Sequence, residues 1–158
     1  MDHQTHGSCH CSLHGLCRIR RNVLEIKKMI RMSPKTFVTA INCMDGRVQE
    51  PIINWMKQQY KADYVDMITD PGPIKNLAEN TPSSINKSIK NRLDISINKH
   101  GSRFIAVIGH YDCAGNPVDK ETQITQIKNS MNTIKSWGFP ATIIGLWIDQ
   151  NWTVHKIR

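Results

Sequence analysis

From residue 35 onward, short β-branched runs alternate with segments whose apolar residues recur every three or four positions. Residues 36–41 (TFVTAI) predict a buried strand. Residues 48–60 predict a helix with Ile52, Ile53, Met56 and Tyr60 along one face. Residues 63–69 (DYVDMIT) predict a second strand. Asp70-Pro71-Gly72-Pro73 stops it, because two prolines and a glycine cannot continue a ladder. Thr81-Pro82-Ser83 opens a long helix carrying Ile85, Ile89, Leu93 and Ile97 at four-residue steps, closed by His100-Gly101. Residues 103–109 (RFIAVIG) form the clearest strand pattern in the chain. Residues 118–137 predict an amphipathic helix, with Ile124, Ile127, Met131 and Ile134 inward and Lys, Asn and Thr outward. After Gly138-Phe139-Pro140, residues 141–148 (ATIIGLWI) predict another buried strand. Asp149-Gln150-Asn151 is a turn, and residues 152–157 return as a hairpin strand. Strands alternating with helices imply an α/β fold. Its mostly parallel central sheet is flanked by helices, with an antiparallel C-terminal edge strand.

Residues 1–34 read differently. The first seventeen hold four histidines and three cysteines, and a basic segment follows. Cys9, His10, Cys11, His14 and Cys17 are all possible ligands, yet their spacing matches no established zinc motif. The expectation is a poorly ordered extension, or a start assigned too early, with Cys9, Cys11 and Cys17 outside the chemistry. The 158-residue chain has 21 basic and 13 acidic residues, a net charge of +8. Half of that excess, +4, lies in residues 1–31. The remainder is only mildly basic, with no Gly-rich phosphate loop and no aromatic-basic interleaving, so a nucleic-acid partner is not expected. No apolar run reaches the ~18–20 residues of a membrane span. Five cysteines without an apolar leader point to a reducing cytoplasm, where thiols more often bind metals or react than form disulfides.

Ligands in such sheets bind at the carboxyl ends of strands. Cys43-Met44-Asp45-Gly46-Arg47 follows the first strand, and His110-Tyr111-Asp112-Cys113 follows the third. Cys43, His110 and Cys113 make a good zinc set of two thiolates and one imidazole, leaving one tetrahedral position open. Arg47 can hold Asp45 ionised. Asp45 then either orients a zinc-bound hydroxide or closes the site as a fourth ligand. Asp70, at the end of the second strand, is a further candidate to enter the site. His100 and His155 are expected at a helix end and in solvent, and the four tryptophans in the core or an interface.

These paired motifs resemble the C-x-D-x-R … H-x-x-C signature of β-class carbonic anhydrases. The resemblance spans about residues 36–157 and includes the closing LWIDQNWTVHKI. It implies that residues 35–158 are a β-carbonic-anhydrase-like domain, with zinc on Cys43, His110 and Cys113 and with Asp45 and Arg47 as a catalytic dyad. It also implies reversible hydration of CO2 to bicarbonate through a zinc-bound hydroxide, in a homodimer or higher homo-oligomer. Thr69-Asp70-Pro71-Gly72-Pro73 and Ala114 depart from the family pattern, which marks a divergent, short member. Carbonyl sulfide or carbon disulfide hydrolysis and a non-catalytic zinc module remain alternatives on the same residues.

Overall fold

The structure is a computed structural model that describes residues 34–157. The expectations for residues 1–33, including Cys9, Cys11 and Cys17, lie outside the described residues. Among the described residues, five strands and four helices follow in the order β1 (Phe37–Cys43), α1 (Gly46–Tyr60), β2 (Tyr64–Asp70), α2 (Pro73–Glu79), α3 (Ser84–Asn98), β3 (Phe104–His110), α4 (Lys120–Ser136), β4 (Thr142–Ile148) and β5 (Val154–Lys156). The sheet order is β2-β1-β3-β4-β5. Strands β1 to β4 are parallel, and β5 returns antiparallel on β4, as the alternation implies. No described helix is long and apolar enough to cross a membrane.

The two faces of the sheet bury different residues because side chains alternate along a strand. Val38, Ala40, Ala106, Ile108, Leu146 and Ile148 pack with Val48, Ile52 and Met56 of α1. Ile41, Ile68, Ile105 and Val107 pack on the other face with residues of α2, α3 and α4. The chain leaves β1 toward β2 on one side and comes back on the other side as β3. The carboxyl ends of β1 and β3 therefore part at a topological switch point, where open α/β sheets hold their ligands.

Several boundaries differ from the sequence expectation for identifiable reasons. β1 runs on to Cys43 and β3 to His110, so both chemistry-bearing residues are the last of their strands. α1 begins at Gly46, two residues earlier than predicted, because the Asp45 carboxylate caps it and accepts from the Arg47 backbone N–H. The short α2 was not foreseen. Pro73, read as a strand stop, is also a helix start, and α2 buries Ile74 and Leu77. β5 is shorter than predicted because Trp152 takes a left-handed φ of 59°.

The inward face of α4 is a correction. Ile127 and Ile134 are buried as expected, but Ile124 and Met131 are only half-buried, and Gln123, Ser130 and Thr133 are buried in their place. Each finds a partner. Ser130 Oγ donates to Ile74 O at 3.1 Å, and Thr133 Oγ1 donates to Leu77 O at 2.8 Å. These hydroxyls tie α4 to carbonyls of α2, and Leu77 O also accepts from the Asn80 N–H that closes α2, at 3.2 Å.

Candidate metal centre

Cys43 ends β1 and His110 ends β3, while Cys113 follows His110 through a tight turn at Asp112, whose φ is 54°. One ligand atom from each of the three lies within 4.8 Å of the others, and all three residues are buried. The two sulfurs are 3.8 Å apart. That is far beyond the ~2.05 Å of a disulfide. Two thiolates at ~2.3 Å from one tetrahedral zinc would be separated by about 3.8 Å.

His110 Nδ1 lies 2.7 Å from the Tyr111 carbonyl oxygen. A carbonyl only accepts, so Nδ1 carries the hydrogen and the lone pair of a neutral ring is on Nε2. Nε2 is buried without a hydrogen-bond partner. A buried acceptor left unpaired is costly, and here it sits beside two sulfurs. The donor set fits a soft-to-borderline cation, and the backbone contact fixes the ring tautomer as ligating histidines require.

The two sulfurs are within hydrogen-bond reach of each other. The Cys113 thiol donates to Cys43 and draws the Cys43 pKa from 9.0 down to about 3 against the opposing effect of burial. Cys113 moves the other way, because Cys43 takes its hydrogen bond and burial disfavours a second charge. A cation between the sulfurs would remove that conflict.

The loops around the sulfurs touch through glycines. Gly72 has φ +52°, and a Cβ there would come within 2.7 Å of Gly115 backbone atoms. A Cβ on Gly115 would meet the Pro71 carbonyl carbon at 2.6 Å. On the Cys113 side the loop closes on itself, with the Asn116 N–H donating to Cys113 O at 3.1 Å.

Asp45 and Arg47 are brought together beside the cluster, but the carboxylate does not join it. Arg47 Nη2 donates to Asp45 Oδ2 at 2.6 Å, and Nε reaches Oδ1 at 3.0 Å. This guanidinium holds the Asp45 pKa down, from 3.8 to about 2. Arg47 is itself held by Asp112 Oδ2 at 3.1 Å and lies over the Trp152 ring at 4.8 Å. Asp70 does not enter the site. Its backbone pairs alongside Cys43, but its carboxylate accepts from Arg92 of α3 at 2.6 Å. His100 and His155 meet the carboxylates of Asp66 and Asp149, at 2.8 and 2.7 Å.

Two glutamines complete the centre. The Gln49 side-chain amide donates to the carbonyls of Cys43 and Asp45 at 2.8 and 2.7 Å, and accepts from Asn42 at 3.0 Å. Gln123 bonds the backbone of His110. Neither was singled out from sequence. The only signal for Gln123 was its place four residues before Ile127 on the inward stripe. A cavity of about 520 Å³ opens beside Cys113, with Tyr111, Ala114, Val118 and Trp147 among its walls.

Residues 33–158 match the sequence model of a family described as "Putative carbonic anhydrase". The chain belongs to this family. No curated protein sequence matches it. Among solved structures, the chain resembles the wild-type β-carbonic anhydrase CafD of the filamentous fungus Aspergillus fumigatus, with a TM-score of 0.53 and 14% identity. That match covers 81% of this chain and 92% of CafD. It also resembles the Coccomyxa β-carbonic anhydrase solved with acetazolamide, with a TM-score of 0.52 and 13% identity, over 92% of this chain and 86% of that one. At these identities the shared property is the β-carbonic anhydrase fold.

Proposed function

We propose that the chain is a zinc enzyme that converts CO2 and water reversibly into bicarbonate and a proton. Cys43, His110 and Cys113 would hold the ion, and zinc when bound supplies a water acidic enough to ionise near neutral pH. The observation that carries the reading is the open donor set beside an Asp45 that Arg47 holds in its ionised form. An ionised Asp45 accepts a hydrogen bond from the attacking water and turns its lone pair toward the carbon. Arg47, anchored by Asp112 and Trp152, would hold that carboxylate apart from the three donors. The partly apolar cavity beside Cys113 suits a small substrate without charge. The leaving proton passes to buffer.

The homodimer that the family resemblance implies is tested by analytical ultracentrifugation. Two free thiols suit a reducing, cytoplasmic compartment. The deciding experiment is stopped-flow CO2 hydration by the zinc-loaded protein from neutral to alkaline pH, with Cys43→Ser as control. Activity that rises with pH and vanishes in the variant supports the reading. Full zinc occupancy with no CO2 turnover at any pH refutes it, and carbonyl sulfide hydrolysis by the same sample would reassign the substrate.

A further inference from the structure

Gln123 is a polar side chain in a place built for an apolar one. It sits in the first turns of α4 on the stripe that buries Ile127 and Ile134, and it is only 1% exposed. Its amide engages both backbone groups of a single residue. The His110 N–H donates to Gln123 Oε1 at 3.2 Å, and Gln123 Nε2 donates to the His110 carbonyl at 3.0 Å.

The need for this bracket follows from the sheet. β3 pairs with β1 only as far as Val107, because the two strands part at the switch point. On its other side β3 stays paired with β4, and the Tyr111 N–H donates to Ile148 O at 2.8 Å. Backbone groups of successive strand residues point to opposite sides, so those of His110 face the side where β1 has ended. Gln123 offers one acceptor and one donor there and stands in for the missing strand. Gly109 admits it, since a Cβ at that position would lie 2.8 Å from Gln123 Oε1. α4 is in turn fixed at its start by Asp119, whose carboxylate accepts from the Thr122 N–H at 2.7 Å.

We propose that Gln123 is a positioning residue for the metal centre: it fixes the backbone of His110 so that Nε2 meets the two sulfurs. Tyr111 O sets the rotation of the ring, and Gln123 sets the point from which the ring projects. The same amide also reaches Asn116 O at 3.5 Å, and the Asn116 N–H donates to Cys113 O at 3.1 Å. One side chain thus couples two of the three ligands.

The inference rests on the cluster binding a metal, so zinc and cobalt(II) binding by the wild-type protein is measured first. Failure there overturns both readings. The test compares Gln123→Met, which keeps the length but neither hydrogen bond, with Thr133→Val. Thr133→Val removes a buried bond from the same helix face, away from His110. Zinc affinity is read by chelator competition, cobalt geometry from its visible absorption, and folding from circular dichroism.

The expected result is a folded Gln123→Met protein whose zinc affinity falls about tenfold to a hundredfold, the range for residues that orient a metal ligand. Its cobalt bands shift, while Thr133→Val keeps wild-type affinity and spectrum. Wild-type affinity in Gln123→Met, or an equal loss in both variants, overturns the proposal. Should Gln123→Met fail to fold, Gln123→Glu takes its place. Measured at a pH where its carboxyl is ionised, it keeps the acceptor for the His110 N–H and loses the donor to the His110 carbonyl. A loss of affinity is again expected, and wild-type binding overturns the proposal.

Discussion

Replacing Gly115 by alanine isolates the contact between the two loops that flank the sulfurs. Gly115 has no positive φ, so the substitution is purely steric. The new Cβ would stand 2.6 Å from Pro71 C and 2.7 Å from Gly72 N, where carbon atoms settle at ~3.5–4.0 Å. Both obstacles are backbone, so the loops must part by about 1 Å. Metal-ligand distances tolerate only about 0.2 Å, and Gly115 lies two residues after Cys113. The metal-free protein should lose about 1–3 kcal/mol, the usual cost of overpacking. Zinc affinity should fall by at least about tenfold.

Three further alanines separate the causes. Gly72 has both the clash and a φ of +52°, and should be worse than Gly115. Gly138 has a φ of +76° with nothing within 4 Å, and should lose only about 1–2 kcal/mol of stability. Gly46 has neither problem and should be neutral or slightly stabilising in α1. Thermal melts of metal-free protein give stability, and chelator competition gives affinity. If Gly138→Ala lowers zinc affinity as much as Gly115→Ala, affinity merely follows global stability and the loop-contact reasoning fails.

Gln49→Leu removes the clamp on the Cys43 and Asp45 carbonyls and should lower kcat for CO2 hydration about tenfold with little change in Tm. Unchanged kinetics would show that the cap of α1 alone holds Asp45. Arg92→Ala releases Asp70 and should cost no more than about 1 kcal/mol, because the pair is partly exposed. Zinc affinity should stay put, and a large loss would return Asp70 to the metal centre. Asp149 lies below the ordinary carboxylate pKa of 3.8 because His155 bonds it, with the Thr153 and Asn151 N–H groups adding to the effect. Its hold on the β4–β5 turn is therefore complete above the ordinary value and is lost as pH falls through the lowered one. In an NMR titration, His155→Ala should move the Asp149 midpoint upward, and an unmoved midpoint would show that the backbone donors suffice.

What was legible in the sequence and what was not divide along a physical line. Cys43 and His110 could be read because each ends a β-branched run, and a strand end in a parallel sheet is a defined place. The four parallel strands were legible for the same reason. Asp45 was read for its chemistry, yet its carboxylate also caps α1, and that second role moved the helix start to Gly46. Pro73 looked like a terminator because proline breaks a strand and begins a helix with the same ring. The supporting shell was hidden more deeply. Gln123, Ser130 and Thr133 look like solvent-facing residues until their partners are known, and those partners lie 13 and 56 positions away. A buried polar side chain is tolerable only with such a partner. Local patterning cannot see it, because the partner is a backbone group that every residue possesses. The ligand residues therefore announce themselves by type, while the residues that aim them are recognised only by what they touch. The Asp45–Arg47 pair shows both cases at once, visible as a charged spacing and yet oriented by Gln49, Asp112 and Trp152, none of which the spacing implied.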